Sequence, residues 1–147
     1  MDATQWQERI TAELAGLVQQ EFVIIAEPSP PAPEPTGLLA RLRSKSSRTV
    51  PSRWGQVLCV DSVLYAEFAG TQHIGGNWEA TAEQHEALRA AGWLTPDETD
   101  PIAPAPAVPH YWRTVPRAEA ALVAGLVVDA FRILGADFAT LTLRRDQ

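Results

Sequence analysis

The stretch Thr81-Ala-Glu-Gln-His-Glu-Ala-Leu-Arg-Ala-Ala-Gly92-Trp93-Leu-Thr-Pro96 decides how the rest of this chain is read. Thr81 has the side-chain oxygen that an N-cap needs, and Gln84 stands at capping-box spacing three residues on. Gly92 falls where a helix turns off through the left-handed region. The stretch therefore predicts a short helix over 81–91 that stops at a glycine and hands over to Trp93, which folds back onto the body of the domain. Nothing in it carries out chemistry.

Working outward, residues 4–20 place Trp6, Ile10, Leu14, Leu17 and Val18 on one helical stripe, with Asp2 or Thr4 as the cap. Phe22-Val-Ile-Ile-Ala26 is a continuous apolar run, the pattern of a strand central in a sheet or buried on both faces. Gln56–Val60 and Val63–Ala69 read as two strands joined by a tight turn at Asp61-Ser62. A further short strand is expected within 108–115. Pro116 suits the first position of a helix running to Leu134. From Ala120 to Phe131 that helix is apolar nearly all round, so it is buried on more than one side, by sheet, loops or a partner. Leu141-Thr-Leu143 can add a terminal strand.

Two segments interrupt this pattern. Residues 27–36 contain five prolines and cannot form a helix or central strand. Residues 37–53 follow with Arg41, Arg43, Lys45, Arg48 and Arg53 and no acid, and together 27–53 read as a flexible proline-rich, then basic, insertion. Residues 95–109 form a second proline-rich loop. The whole, 1–147, is expected to be a single domain.

The formal net charge of −6 conceals an asymmetry, since outside the basic insertion 7 basic residues face 18 acidic ones. An acidic body disfavours specific nucleic-acid binding. The insertion, 38–53, can instead touch an anionic surface weakly, with Leu38, Leu39 and Leu42 beside Arg41 and Arg43. No segment reaches the roughly 20 apolar residues of a membrane span. The N-terminus has neither the basic nor the apolar region of a secretory signal. Cys59, the single cysteine, excludes an intrachain disulfide and fits a reducing cytoplasm.

Catalytic and metal-binding patterns are missing. His73, His85 and His110 lack the spacing of a zinc site and read as loop and surface residues. Gly70 to Asn77 superficially resembles a phosphate loop, but no Lys-Ser/Thr follows, and a glycine-rich turn is the simpler account. Cys59 sits within an apolar strand and behaves as a small hydrophobe. Glu67 shares a strand face with Tyr65 and Ala69, pointing to solvent or to a basic neighbour. No cofactor, metal or catalytic residue is assigned.

The helix ending in x-Leu-x-x-x-Gly-Trp, the strand Phe22–Ala26, the strand Leu64-Tyr-Ala-Glu-Phe68 and the later His110-Tyr111-Trp112 resemble, in this order, the Tir-chaperone-like (TY-Chap, YbjN-like) domains of actinobacteria. The resemblance covers most of 4–143 and departs from the pattern in 27–53 and 96–109. It implies an α+β fold like that of type III secretion chaperones, an antiparallel sheet flanked by two to three helices. It also implies a non-catalytic, chaperone- or adaptor-like role, with a protein client or a second copy of the chain as partner and no cofactor. The alternative is an enzyme or nucleotide-binding regulator with a site of scattered residues. Candidate partner-binding residues are Leu122, Leu126 and Val127 on the apolar helix, Trp54, Trp78 and Trp112 at element edges, and Arg41 and Arg43 in the basic segment.

Overall fold

A computed structural model of the chain describes residues 1–28, 52–100 and 105–146. Its elements are α1 (Ala3–Ala15), β1 (Phe22–Ala26), β2 (Trp54–Val60), β3 (Val63–Phe68), α2 (Ala82–Ala91), β4 (Tyr111–Pro116), α3 (Ala120–Ile133) and β5 (Thr142–Asp146). The five strands form one antiparallel sheet in the order β4-β3-β2-β1-β5. The three helices pack on one face of it, giving the α+β architecture expected from the sequence.

The predicted capping box of α2 is present, and α1, for which a cap at Asp2 or Thr4 was expected, carries one too. At α2, the Gln84 backbone N–H donates to Thr81 Oγ1 (3.1 Å) and the Thr81 N–H donates to Gln84 Oε1 (2.9 Å). At α1 the cap is Asp2, paired reciprocally with Gln5 (2.8 and 2.9 Å). These local bonds satisfy orphan N–H groups that every helix start leaves open.

Two helix boundaries differ from expectation. Helix α1 stops at Ala15 with Gly16 as its C-cap, not at residue 20. Leu17 still reaches the core, but Val18 is exposed, because the chain has left the helical stripe. Tertiary bonds hold this exit: Arg145 donates to the Gly16 carbonyl (2.6 Å), and Arg117 donates to that of Leu17. Pro116 ends β4 instead of opening a helix, because its residue pairs with Val63. A short 3₁₀ turn over Arg117–Glu119 then leads into α3.

The core lies between the sheet and the helices. Val23 and Ile25 of β1, Val57 and Cys59 of β2, Leu64, Ala66 and Phe68 of β3, and Tyr111 and Val115 of β4 point into it. They meet Trp6, Ile10 and Leu14 of α1, Leu88 of α2 and eight buried residues of α3. Helix α3 runs between α1 and α2 and over β3 and β4. Most of its apolar surface is therefore covered within the chain, by two neighbouring helices and the sheet, leaving Ala121 and Leu122 exposed. Gly125 lies opposite the Gln7 side chain of α1, where an added Cβ would come within 3.4 Å of it.

The Gly-Trp handover closes the core at one end. Gly92 takes φ +120°, and a Cβ there would lie 3.2 Å from both Arg113 and Leu126. Trp93 is 1% exposed, tilts against Phe68 at 5.9 Å and donates its indole N–H to the Leu126 carbonyl (3.1 Å).

Candidate functional site

The face of the sheet away from the helices decides what this fold can bind. Strand periodicity places Phe22, Ile24 and Ala26 of β1 there, with Trp54, Gln56, Leu58 and Val60 of β2 and Val63, Tyr65 and Glu67 of β3. All are half-buried. A strand covered on one face ordinarily carries polar side chains on the other. Here Phe22, Ile24, Leu58, Val60 and Val63 are apolar instead. Register aligns them in rows: Phe22 beside Leu58 and Leu58 beside Tyr65, then Ile24 beside Gln56 and Gln56 beside Glu67.

One side of this face is roofed. The chain after Trp93 pairs with β4, with N–H···O bonds in both directions between Leu94 and Trp112 (2.9 and 3.0 Å). It then closes over the Trp112 ring, whose indole N–H donates to the Thr95 carbonyl (2.9 Å). Trp112 is fully buried and stacks on Tyr65 at 6.1 Å. Glu67 meets His110 (3.3 Å), the basic neighbour its strand position allowed for, and His110 stands edge-on to Trp54 at 4.7 Å. Burial, with the charge and hydrogen bond of Glu67 adding to it, pushes the Tyr65 phenol up to about 12. Toward β5 the face carries a groove of about 390 Å³ lined by Ile24, Ala26, Ser52, Trp54, Gln56, Thr142 and Arg144. No described helix covers it.

Residues 4–142 match the family model described as T3SS (YopN, CesT) and YbjN peptide-binding chaperone 3, TY-Chap3. The chain belongs to the TY-Chap3 family. No curated protein and no solved structure matches it significantly.

In this TY-Chap3 domain the predicted partner-binding residues fall into separate environments. Leu126 is 4% exposed and Val127 is fully buried, so both belong to the domain's own core and present no surface to a partner. The cause is the packing of α1 and α2 on either side of α3. Only Leu122 of that trio is exposed, at 49%. Trp112 is closed under its roof, and only Trp54 belongs to the groove. Trp78 lies outside this groove but shares a smaller cavity with Trp54 and His110, and sits beneath the Arg53 guanidinium (5.3 Å), which also binds the Glu27 carboxylate and donates to the Leu134 carbonyl (2.7 Å). Arg53 is thus engaged within the fold. Arg41 and Arg43, the apolar Leu38, Leu39 and Leu42, and most of the 27–53 insertion lie outside the described residues.

Of this face, sequence reasoning named Trp54 and Trp112 but none of the aliphatic residues and neither Phe22 nor Arg144. The available signal was Phe22–Ala26, an apolar run without alternation. Such a run suits a strand central in a sheet, as β1 is between β2 and β5, or one buried on both faces, whereas helices cover β1 on one face only. Arg144 was also missed, because its neighbour Arg145 looks identical in sequence.

The other polar clusters hold the fold together. His85 Nδ1 and Thr71 Oγ1 both meet the Tyr111 hydroxyl (2.7 and 2.8 Å), and the rings of His73 and His85 stack at 4.8 Å. His73 is a loop and surface residue as expected, whereas His85 is half-buried on α2, and the Gly70–Trp78 loop sets the two rings together. Burial first, and the neighbouring His73 charge second, lower the His85 pKa. Among the described residues no group of three or more His, Cys, Asp and Glu side chains is placed to hold a metal ion. The glycine-rich turn is a packing device: a Cβ on Gly70 would lie 1.8 Å from the Pro109 carbonyl oxygen, and one on Gly76 would lie 2.1 Å from that of Gly70. No helix among the described residues is long and apolar enough to cross a membrane.

Proposed function

We propose that this domain binds an extended, largely apolar segment of a protein client on the open face of its sheet, as a non-catalytic chaperone or adaptor in a bacterial cytoplasm. The observation that carries this is the unbroken apolar surface of Phe22, Ile24, Leu58, Val60 and Val63 on a face that no described helix covers. An apolar sheet surface of this kind offers side-chain pockets to an extended peptide, and β5 is the edge strand next to it among the described residues. The peptide-binding description of the family supports the same reading. The buried, unpaired Cys59 thiol suits a reducing compartment. The domain is taken to act as one folded unit, with a proline-rich, then basic, insertion at 27–53 and a proline-rich loop at 95–109.

Phage-displayed peptides selected on the immobilised full chain provide the test, with affinities then measured by fluorescence polarisation. Leu58→Asp and Ile24→Asp are expected to weaken the selected peptides at least about tenfold, since each puts a charge into the apolar contact. Leu122→Asp, on the helical side, is expected to leave affinity unchanged. The reverse pattern would move the binding surface to the helices and overturn the proposal. Light scattering on the same variants separates a second occupant: a dimer lost on Leu58→Asp would mean that another copy of the chain covers this face.

A further inference from the structure

Two consecutive arginines of β5 have opposite fates. Arg145 points to the helical side, where it binds both carboxylate oxygens of the largely buried Glu21 (2.7 and 3.1 Å) and the Gly16 carbonyl. It ties the last strand to the end of α1. Arg144 points to the open face, pairs in register with Ile24 and lines the groove. It is exposed and makes no ion pair with a described residue. Among the described residues it is the one charged side chain in the groove lining.

The rest of the groove complements it. Ile24 and Ala26 form an apolar floor, and the half-buried Trp54 is next to Ala26 in register. Gln56 stands on the far side of Ile24 from Arg144, its amide without a described partner and able both to donate and to accept. Thr142 already donates its hydroxyl proton to the Ala26 carbonyl (3.3 Å). Beyond Thr142, the described groove lining offers donors from Arg144, Gln56, Ser52 and Trp54, of which only the Arg144 guanidinium is charged.

We infer that this groove is the specificity pocket of the peptide-binding face, and that it selects a client segment carrying an aspartate or glutamate side chain two residues from a large apolar one. The inference rests on the peptide-binding reading proposed above and adds the chemistry of the peptide. A guanidinium fork matches a carboxylate in plane with two parallel hydrogen bonds. A single arginine suits a singly charged carboxylate, whereas phosphate recognition ordinarily draws on a cluster of arginines. The spacing follows from the sheet. From Arg144 to Ala26 is one strand across and two residues along, roughly 8 Å at ordinary sheet dimensions, and Trp54 stands one strand further on, paired with Ala26 in register and lining the same groove. Side chains i and i+2 of an extended peptide point the same way and are about 6.7 Å apart. A carboxylate on Arg144 therefore sets the side chain two residues away over Ala26 and against Trp54. The Gln56 amide can take up a peptide group of the same segment.

The test uses fluorescein-labelled octapeptide libraries, acetylated and amidated at their ends, on the full chain at low salt. Each library carries phenylalanine at one fixed position. Two residues away it carries glutamate, glutamine, lysine or phosphoserine. The glutamate library is expected to bind about tenfold more tightly than the glutamine library, the gain of a charged over a neutral hydrogen-bonded pair. Arg144→Gln should erase that preference, and Arg144→Glu should transfer it to the lysine library, with thermal melts of both variants unchanged. Equal binding of glutamate and glutamine libraries by the native chain would overturn the inference. So would a preference that survives Arg144→Gln, or tighter binding of phosphoserine than of glutamate. If peptides bind and Leu58→Asp abolishes binding while no acidic preference exists, the inference alone fails. If no library and no displayed peptide binds at all, the peptide-binding reading fails with it.

Discussion

Replacing Trp93 by alanine tests the account of how the Gly-Trp handover anchors α2. The ring is 1% exposed, lies 5.9 Å from Phe68 and donates to the Leu126 carbonyl (3.1 Å). A tryptophan side chain removes about 200–250 Å² from water. At about 25 cal/mol per Å² this contributes about 5–6 kcal/mol. Residual burial in the unfolded chain removes about 10–40% of that. The result, about 3–5 kcal/mol, agrees with measured truncations of buried aromatics. The hydrogen bond adds only about 0.5–1 kcal/mol, because the Leu126 carbonyl lies within α3 and keeps its intrahelical partner. Trp93→Phe should therefore cost much less, about 1–2 kcal/mol, by keeping most of the apolar contact. Urea unfolding followed by far-ultraviolet circular dichroism measures both, since four other tryptophans confuse fluorescence. With a slope of about 2 kcal/mol per molar urea, the alanine midpoint should fall by about 2 M. A midpoint within about 0.3 M of the native one would refute the assignment of Trp93 to the core.

Two further perturbations probe the loop and the open face. Gly76→Ala should destabilise by about 1–3 kcal/mol or more by the same urea assay, because its Cβ would meet the Gly70 backbone, which cannot swing aside; a neutral result would mean that the Gly70–Trp78 loop is placed differently. Both tyrosines, Tyr65 and Tyr111, have raised pKa values, burial being the first cause for each, and the Tyr65 phenol ionises only at about 12. The folded state then holds phenolic protons that the unfolded chain loses near 10, so stability should fall as pH rises through 10 toward 12. Tyrosinate absorbance at pH 10–11 should be weaker in the native protein than in urea, and equal absorbance in both would refute the buried environment of these rings.

Short-range chemistry was legible in the amino-acid order. The Thr81–Gln84 capping box, the Gly92 exit from α2, the Asp61-Ser62 hairpin and the stripe Trp6–Ile10–Leu14 each rest on residues within a few positions of one another. Asp61 takes the positive φ (55°) that its two-residue turn asks for. The capping of α1 was legible too, but its end was not, because the carbonyls of Gly16 and Leu17 are satisfied by Arg145 and Arg117. Both arginines are remote in sequence from the carbonyls they cap. In the same way, Pro116 fits a helix start by local rules and was taken instead by the register of β4 on β3.

What the sequence by itself determined was therefore the set of elements, the α+β class and the absence of a recognisable catalytic motif, all of which follow from period, caps and residue type. Tertiary structure alone decided which apolar surfaces remain available. The all-round apolar character of α3 and the unbroken apolar run of β1 look equivalent in sequence, since hydropathy records what a residue avoids and not what covers it. Folding sets α1 and α2 on either side of α3 and buries Leu126 and Val127. It covers β1 with helices on one face and leaves Phe22 and Ile24 half-buried on the other. The same geometry separates Arg145, held by Glu21, from Arg144 in the groove, because adjacent residues of a strand point to opposite faces.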